Sequence, residues 1–84
     1  NYNFFHRYLL LPLINWIMAK IQLNGKKITI KQNISIYDLL IRYKLADKKI
    51  AVEHNKTIIS RAHFKKKKIK NNDKIEIVHF IGGG

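Results

Sequence analysis

The carboxyl-terminal residues Gly82-Gly83-Gly84 are the part of this sequence whose composition most directly suggests chemistry. A glycine tail carries no side chains, so it can thread a narrow channel and adopt positive φ angles as different partners require. The reactive group would be the carboxylate of Gly84, which becomes a good electrophile only when adenylation turns one of its oxygens into a leaving group. The alternative is a frayed terminus, or the end of an excised fragment, with no role. The strand-like run that leads directly into the glycines favours the chemical interpretation.

Composition limits the other kinds of chemistry open to this chain. Its 84 residues suffice for one domain with a small core, which leaves little room for a large internal active site. The absence of cysteine excludes a disulfide framework, a thiolate zinc site and a cysteine nucleophile. Any sulfur that this protein handles must therefore be carried elsewhere than on a cysteine side chain.

The charge is strongly positive, with 17 Lys and Arg residues against 5 Asp and Glu and a formal net charge of +12. Such a balance favours attraction to nucleic acid, acidic proteins or anionic membranes. A second explanation is mutational bias, because Lys, Asn, Ile, Tyr and Phe have A/T-rich codons and only three of the 17 basic residues are Arg. We favour the second explanation and predict no specific nucleic-acid binding. The bias also indicates an A/T-rich genome, and hence the cytoplasm or a plastid stroma.

Residues 1–18 differ from the rest of the chain. The apolar run at residues 8–19 is interrupted by Pro12 and Asn15 and is shorter than the roughly 20 residues that span a bilayer. We therefore expect no stable membrane insertion, although a signal-like segment or a peripheral anchor stays open. Met18 also resembles a natural start, with upstream sequence before it. We predict an extension at 1–18, a folded domain at 19–80 and a flexible tail at 81–84.

A hairpin and a helix are predicted in the first half of the domain. Apolar residues alternate at 20–23 and 27–31, and Asn24-Gly25 between them is typical of a type I′ hairpin turn. Ser35 predicts a helix N-cap, and Asp38 completes a capping box with it. An apolar stripe follows at helical spacing, consisting of Ile36, Leu39, Leu40 and Tyr43.

Three further strands are predicted in the second half, at 50–53, 57–59 and 74–80, with turns at 55–56 and 71–73. In the last strand Ile75 and Ile77 should face the core, which places Val78 and Phe80 on the opposite face. A helical crossover from the hairpin puts this strand in the interior of the sheet. The pattern predicts an α+β roll with a four- to five-stranded mixed sheet and one main helix.

In several segments the sequence resembles the sulfur carrier protein family of thiamine biosynthesis (ThiS), a ubiquitin-like β-grasp family. The resemblance spans residues 19–84 and is carried by Asn24-Gly25, Ile59-Ser60-Arg61, the segments 50–55 and 73–81, and most specifically the terminal glycines. Asn72 stands where the family usually has Gly, and Ser60 where Pro is common. Asn tolerates the same left-handed turn, so the tail chemistry is unaffected.

The resemblance implies a carrier and not an enzyme, with no stably bound cofactor. A ubiquitin-activating-type adenylyltransferase would use ATP to adenylate Gly84, and a cysteine desulfurase would indirectly supply sulfur to give a C-terminal thiocarboxylate. Thiazole synthase would accept that sulfur. Partner binding is expected at the root of the tail, at Val78, Phe80 and Ile81.

Other functions stay open at this point. The same fold and tail occur in the molybdopterin-synthase small subunit, in ubiquitin-like modifiers and in tRNA-thiolation carriers. A basic RNA-binding β-grasp module would require aromatic residues among the lysines for base stacking, and residues 65–68 have only Phe64 beside them. A hydrolase is disfavoured because Ser60 has no evident base in the sequence, and the four histidines lack the spacing of metal ligands.

Overall fold

Five strands form one mixed sheet, in the order β2-β1-β5-β3-β4. The structure, a computed structural model, describes residues 16–80 of the chain. The last strand, β5, lies in the centre, parallel to β1 and antiparallel to β3. The predicted α+β roll with a mixed sheet and a central final strand is confirmed. The strands are β1 (Met18–Leu23), β2 (Lys26–Lys31), β3 (Ile50–His54), β4 (Thr57–Ile59) and β5 (Lys74–His79).

The hairpin β1–β2 forms where the alternation predicts it. Asn24 and Gly25 have φ angles of 50° and 83°, as the two central positions of a type I′ turn require. The strand β1 begins at Met18, one residue before the predicted start of the domain. The assignment of residues 1–18 to an extension stays a prediction, because most of them lie outside the described part.

The helix α1 (Ile36–Arg42) begins at the predicted cap. The Ser35 hydroxyl accepts a hydrogen bond from the Asp38 N–H, and the Asp38 carboxylate accepts one from the Ser35 N–H, both at 3.0 Å. These two bonds satisfy orphan donors of the first turn reciprocally. They also lower the pKa of Asp38, the backbone N–H of Ser35 being the largest contributor.

The prediction that Tyr43 belongs to the apolar stripe of α1 is wrong. Tyr43 is the C-terminal cap of α1 and is 39% exposed. The helix stops because Lys44 adopts a left-handed conformation, with φ of 59°, and the N–H groups of Lys44 and Leu45 donate to the carbonyls of Ile41 and Leu40. This Schellman arrangement turns Leu45 back onto the core in place of Tyr43.

One face of the sheet packs against α1, and this layer contains the core. The segment after β4 also contributes to it: residues 65–68 are exposed, but Phe64 and Ile69 on either side are buried. The Ile69 N–H donates to the Ile34 carbonyl at 2.8 Å, which ties this segment to the start of α1. The buried apolar residues are Ala19, Ile21, Ile30, Ile36, Leu39, Leu40, Ile50, Val52, Phe64, Ile69, Ile75 and Ile77.

Candidate functional site

The strand β5 positions the root of the glycine tail, and its burial pattern follows the prediction. Ile75 and Ile77 are 1% and 8% exposed, whereas Val78 and Phe80 are 56% and 62% exposed. The strand β3 pairs with β5 from Ile75 to His79, and β1 pairs with it only at Lys74 and Ile75. The backbone on which the tail is mounted is therefore fixed, while two apolar side chains next to it face solvent.

Asn24 extends the support of β5 beyond the end of β1. Direct β1–β5 pairing is limited to two residue pairs, the second being Leu23 with Ile75. Past this point the Asn24 side chain acts like a strand residue: its Oδ1 accepts from the Ile77 N–H at 2.7 Å, and its Nδ2 donates to the Ile77 carbonyl at 3.2 Å. Asn24 was predicted only as a turn residue. A contact that spans 53 positions gives no local signal in a single sequence.

A cluster of hydrogen bonds around Asp73 fixes the start of β5. The Asp73 carboxylate contacts His54 Nε2 at 2.6 Å and accepts hydrogen bonds from Asn55 Nδ2 and the Lys70 N–H. Asn55 also accepts from the Lys74 N–H at 2.8 Å. Burial raises the pKa of Asp73, but the hydrogen bonds from Lys70, Asn55 and His54 together outweigh it and leave that pKa below its usual value. His54, the last residue of β3, is a buried member of this cluster, a role that no sequence pattern indicated.

The exit from β5 is also anchored. The Phe80 N–H donates to the Lys49 carbonyl at 3.0 Å, the last hydrogen bond that the structure describes before the tail. Arg61 steadies the loop before Lys49 by donating to the carbonyls of Ala46 and Lys48 at 2.8 and 2.6 Å. This gives a structural reason for an arginine after β4, which was noted in the sequence only as part of a resemblance.

The predicted reactive and tail residues, Gly84, Gly82 and Gly83, and the partner-binding candidate Ile81 lie outside the described residues. Val78 and Phe80 lie inside: Val78 is on the exposed face of β5, and Phe80 is an exposed residue directly after the strand. Their exposure is consistent with a docking role, which stays a prediction.

One expectation about the other polar residues requires correction. Ser60 was said to lack an evident base, yet its Oγ lies 2.6 Å from His63 Nδ1. Both side chains are exposed and belong to one short 3₁₀ helix (Arg61–His63) and its cap. Residues 16–80 contain no group of three His, Cys, Asp or Glu side chains arranged to hold a metal ion. No helix within those residues is long and apolar enough to cross a membrane.

A mixed sheet with its last strand in the centre and one helix packed on one face is the architecture of the ubiquitin-like β-grasp fold. The ThiS family model matches residues 15–84, and the chain belongs to the ThiS family. It is 45% identical over 65 residues to the sulfur carrier protein ThiS of Bacillus subtilis, covering 76% of this chain and 98% of that protein. The fold matches a crystal structure of a ThiS protein from Geobacter metallireducens with a TM-score of 0.70 and 29% identity, over 79% of this chain and all of that one.

Relatives with other names are also similar to this chain. A thiazole synthase of Magnetococcus marinus is 40% identical over 65 residues, covering 77% of this chain but only 20% of that protein. An uncharacterized ycf40 protein of Trieres chinensis is 36% identical over 62 residues, covering 74% of this chain and 85% of that protein. The predicted family and fold are confirmed.

Proposed function

We propose that this protein is a sulfur carrier in thiamine biosynthesis and that it works through the carboxylate of Gly84. The proposal rests mainly on membership of the ThiS family and on the likeness over almost the whole length of the Bacillus subtilis sulfur carrier. The anchored root of the tail supports it, because a fixed strand followed by glycines can deliver a carboxylate into a partner's channel.

The chemistry follows from the carboxylate. Attack of a Gly84 oxygen on the α-phosphorus of ATP, catalysed by an adenylyltransferase, gives an acyl-adenylate and releases pyrophosphate. Hydrosulfide then attacks the carbonyl carbon and expels AMP, which leaves a thiocarboxylate. We propose that a cysteine desulfurase is the indirect source of this sulfur, which a thiol reductant releases from the enzyme's persulfide as hydrosulfide. In this scheme the chain carries sulfur and does not itself catalyse a reaction.

Thiazole synthase is the proposed acceptor of the sulfur. The support is that two thiazole synthases contain a region similar to this chain, about a fifth of each protein. A carrier and its acceptor that occur in one polypeptide are natural functional neighbours. We propose the cytoplasm or a plastid stroma as the location. The A/T-rich codon bias of the composition supports both locations. The likeness to the ycf40 proteins supports the plastid.

Intact mass spectrometry tests the proposal. The chain ending at Gly84 is incubated with ATP, an adenylyltransferase from a ThiS system and a sulfide source. We expect a mass gain that corresponds to the replacement of one oxygen by sulfur, located on the terminal residue by fragmentation. No gain, with an enzyme that loads its own carrier in parallel, would contradict the proposal.

Two variants of tail length test the role of Gly84. Deletion of Gly84 shortens the extended tail by about 3.3–3.6 Å, and an alanine added after Gly84 lengthens it by the same amount. A misplacement of about 1 Å can cost on the order of 100-fold in rate, so both variants should lose ATP–pyrophosphate exchange. Their melting temperatures should match the parent chain, because both changes lie beyond β5. Near-normal exchange by the lengthened chain would contradict a reaction at the Gly84 carboxylate.

A further inference from the structure

The outer edge of β4 borders an open groove of about 420 Å³. One wall of the groove is the strand itself, and the other is the short 3₁₀ helix with the basic segment that follows it. The residues that line it are Ile58, Ile59, Ser60, His63, Lys66 and Lys67.

The backbone of β4 is free to pair along this edge. Within residues 16–80, β4 is the terminal strand of the sheet and has β3 as its neighbour on one side only. The two-residue turn at Asn55 and Lys56 makes His54 and Thr57 a hydrogen-bonded pair, so the next pair, Glu53 with Ile58, is not hydrogen-bonded. The N–H and C=O of Ile58 therefore point away from β3, toward the open edge.

The two edges of the sheet differ in how they are protected. The other edge strand, β2, carries exposed Lys26, Lys27 and Lys31, and lysines of this kind discourage pairing with another chain. The strand β4 consists of Thr57, Ile58 and Ile59 and has no charge. An edge without such protection is a ready template for strand addition.

The side chains around the edge indicate what kind of strand would fit. Ile58 is 73% exposed, and half-buried Ile59 packs against the core, so the wall that β4 forms is apolar. The opposite wall is basic, with Lys66 and Lys67 along it and the His63 ring in contact with the Ser60 hydroxyl. None of the described residues that line the groove is acidic. Charge complementarity favours a partner with carboxylates.

We propose that the β4 edge is a docking site for an extended peptide segment in which aliphatic residues are followed by acidic ones. The segment would add to the sheet through the N–H and C=O of Ile58. Its aliphatic side chains would pack on Ile58 and Ile59, and its carboxylates would pair with Lys66 and Lys67. The site is independent of the Gly84 chemistry and lies at the edge of the sheet, away from the strand that bears the tail.

Fluorescence anisotropy tests this site with a fluorescein-labelled peptide of alternating valine and isoleucine followed by glutamates. A second peptide with lysines in place of the glutamates serves as its control. We expect saturable binding of the acidic peptide only, at physiological salt. In ¹⁵N-labelled protein the Ile58 amide should be among the resonances most shifted.

Matched variants separate docking from general attraction to a protein of charge +12. The double variant Lys66→Glu with Lys67→Glu should weaken binding by about tenfold or more, since a favourable charge contact becomes repulsive. Lys26→Glu with Lys27→Glu changes the net charge equally at the opposite edge and should leave binding within about twofold. Ile58→Asp should also weaken binding. All these side chains are exposed, so circular dichroism should show intact folds.

Three results would overturn the proposal. Equal weakening by the two double variants would mean that the peptide responds only to overall charge. Absence of binding to the parent protein would mean that the edge is not a peptide site. Tighter binding of a uridine oligonucleotide with the same dependence on Lys66 and Lys67 would assign the groove to nucleic acid instead.

Discussion

Asparagine takes the place of glycine in the turns of this protein. Three of its four glycines stand at the end of the chain, and Gly25 is the remaining one. Six described residues other than glycine have positive φ angles, and four of them are the asparagines Asn24, Asn33, Asn55 and Asn72. Asparagine tolerates this region better than most side chains. Its amide adds something glycine cannot: Asn24 and Asn55 also bind the backbone of β5.

Replacement of Asn24 by glycine tests this second role. A Gly-Gly turn keeps the type I′ geometry, so the loss is confined to the two hydrogen bonds to Ile77. Each of these hydrogen bonds contributes roughly 0.5–1.5 kcal/mol, so the free energy of unfolding should fall by about 1–3 kcal/mol. Urea denaturation measures this change. Asn33→Gly is the control, because Asn33 has a similar φ of 64° and its side chain has no described hydrogen bond. Equal effects of the two changes would contradict the bridging role of Asn24.

The lowered pKa of Asp73 predicts that the folded protein loses stability at acidic pH. Its pKa is lower in the folded state than the unfolded value of about 3.9. The stabilisation that its ionised form provides is therefore complete above that value and is lost as the pH falls through the folded pKa. We expect Asp73→Asn to be less stable than the parent at pH 7 and to lose less additional stability between pH 4 and pH 2.

The control for this measurement is Asp47→Asn, which changes an exposed carboxylate outside the cluster. Urea denaturation at several pH values gives both profiles. A residual slope should persist in the Asp73 variant because the pKa of Asp38 is also lowered. Identical slopes for the parent and the Asp73→Asn variant would refute the role of the cluster.

At the scale of elements, the buried and the exposed apolar side chains of β5 and of Phe80 directly after it should differ in their effects. Truncation of a buried one should lower stability, and truncation of an exposed one should weaken partner binding. Phe80→Ala should raise the KM for the carrier in ATP–pyrophosphate exchange and leave the melting temperature nearly unchanged, because Phe80 is 62% exposed. Ile77→Ala is the control and should cost about 2–5 kcal/mol of stability, since Ile77 is 8% exposed. A large stability loss with an unchanged KM would assign Phe80 to the core.

The elements that were predicted correctly are those whose signals are local. The Asn24-Gly25 turn and the Ser35–Asp38 capping box involve residues within three positions of each other, and both are confirmed. Contacts between distant segments leave no such local signal. The burial of Ile69 depends on pairing with the segment before α1, and that of His54 on Asp73, 19 positions away. The end of α1 was missed because a lysine, in place of the usual glycine, adopts the left-handed conformation.

At the scale of the whole molecule, a small core must hold a strongly charged chain together. Most of the lysines in the described residues are exposed, so they repel one another across solvent and not within the core. The described core contains twelve buried apolar residues, of which the first along the chain is Ala19. All the described strands and the helix α1 lie within 18–80. These facts lead to a prediction about the smallest stable unit.

A chain that starts at Met18 should fold on its own. It retains all of β1 and the whole described core, and among the described contacts it loses mainly the Ile17 carbonyl, which accepts from the Gln32 N–H at 2.7 Å. Trp16 and Ile17 are 81% and 52% exposed, so their removal uncovers little apolar surface. One such hydrogen bond contributes about 0.5–1.5 kcal/mol, which corresponds to a fall of roughly 2–12 °C in melting temperature for a domain of this size.

The control for this truncation is a chain that starts at Gln22, which lacks Ala19 and Ile21, 0% and 2% exposed. It also loses most of the pairing between β1 and β2, so it should be unfolded at 25 °C by circular dichroism. If the chain that starts at Met18 is also unfolded, residues before Met18 are structural, and the division between extension and domain is wrong. If it folds and still exchanges pyrophosphate like the full chain, the carrier unit lies within residues 18–84.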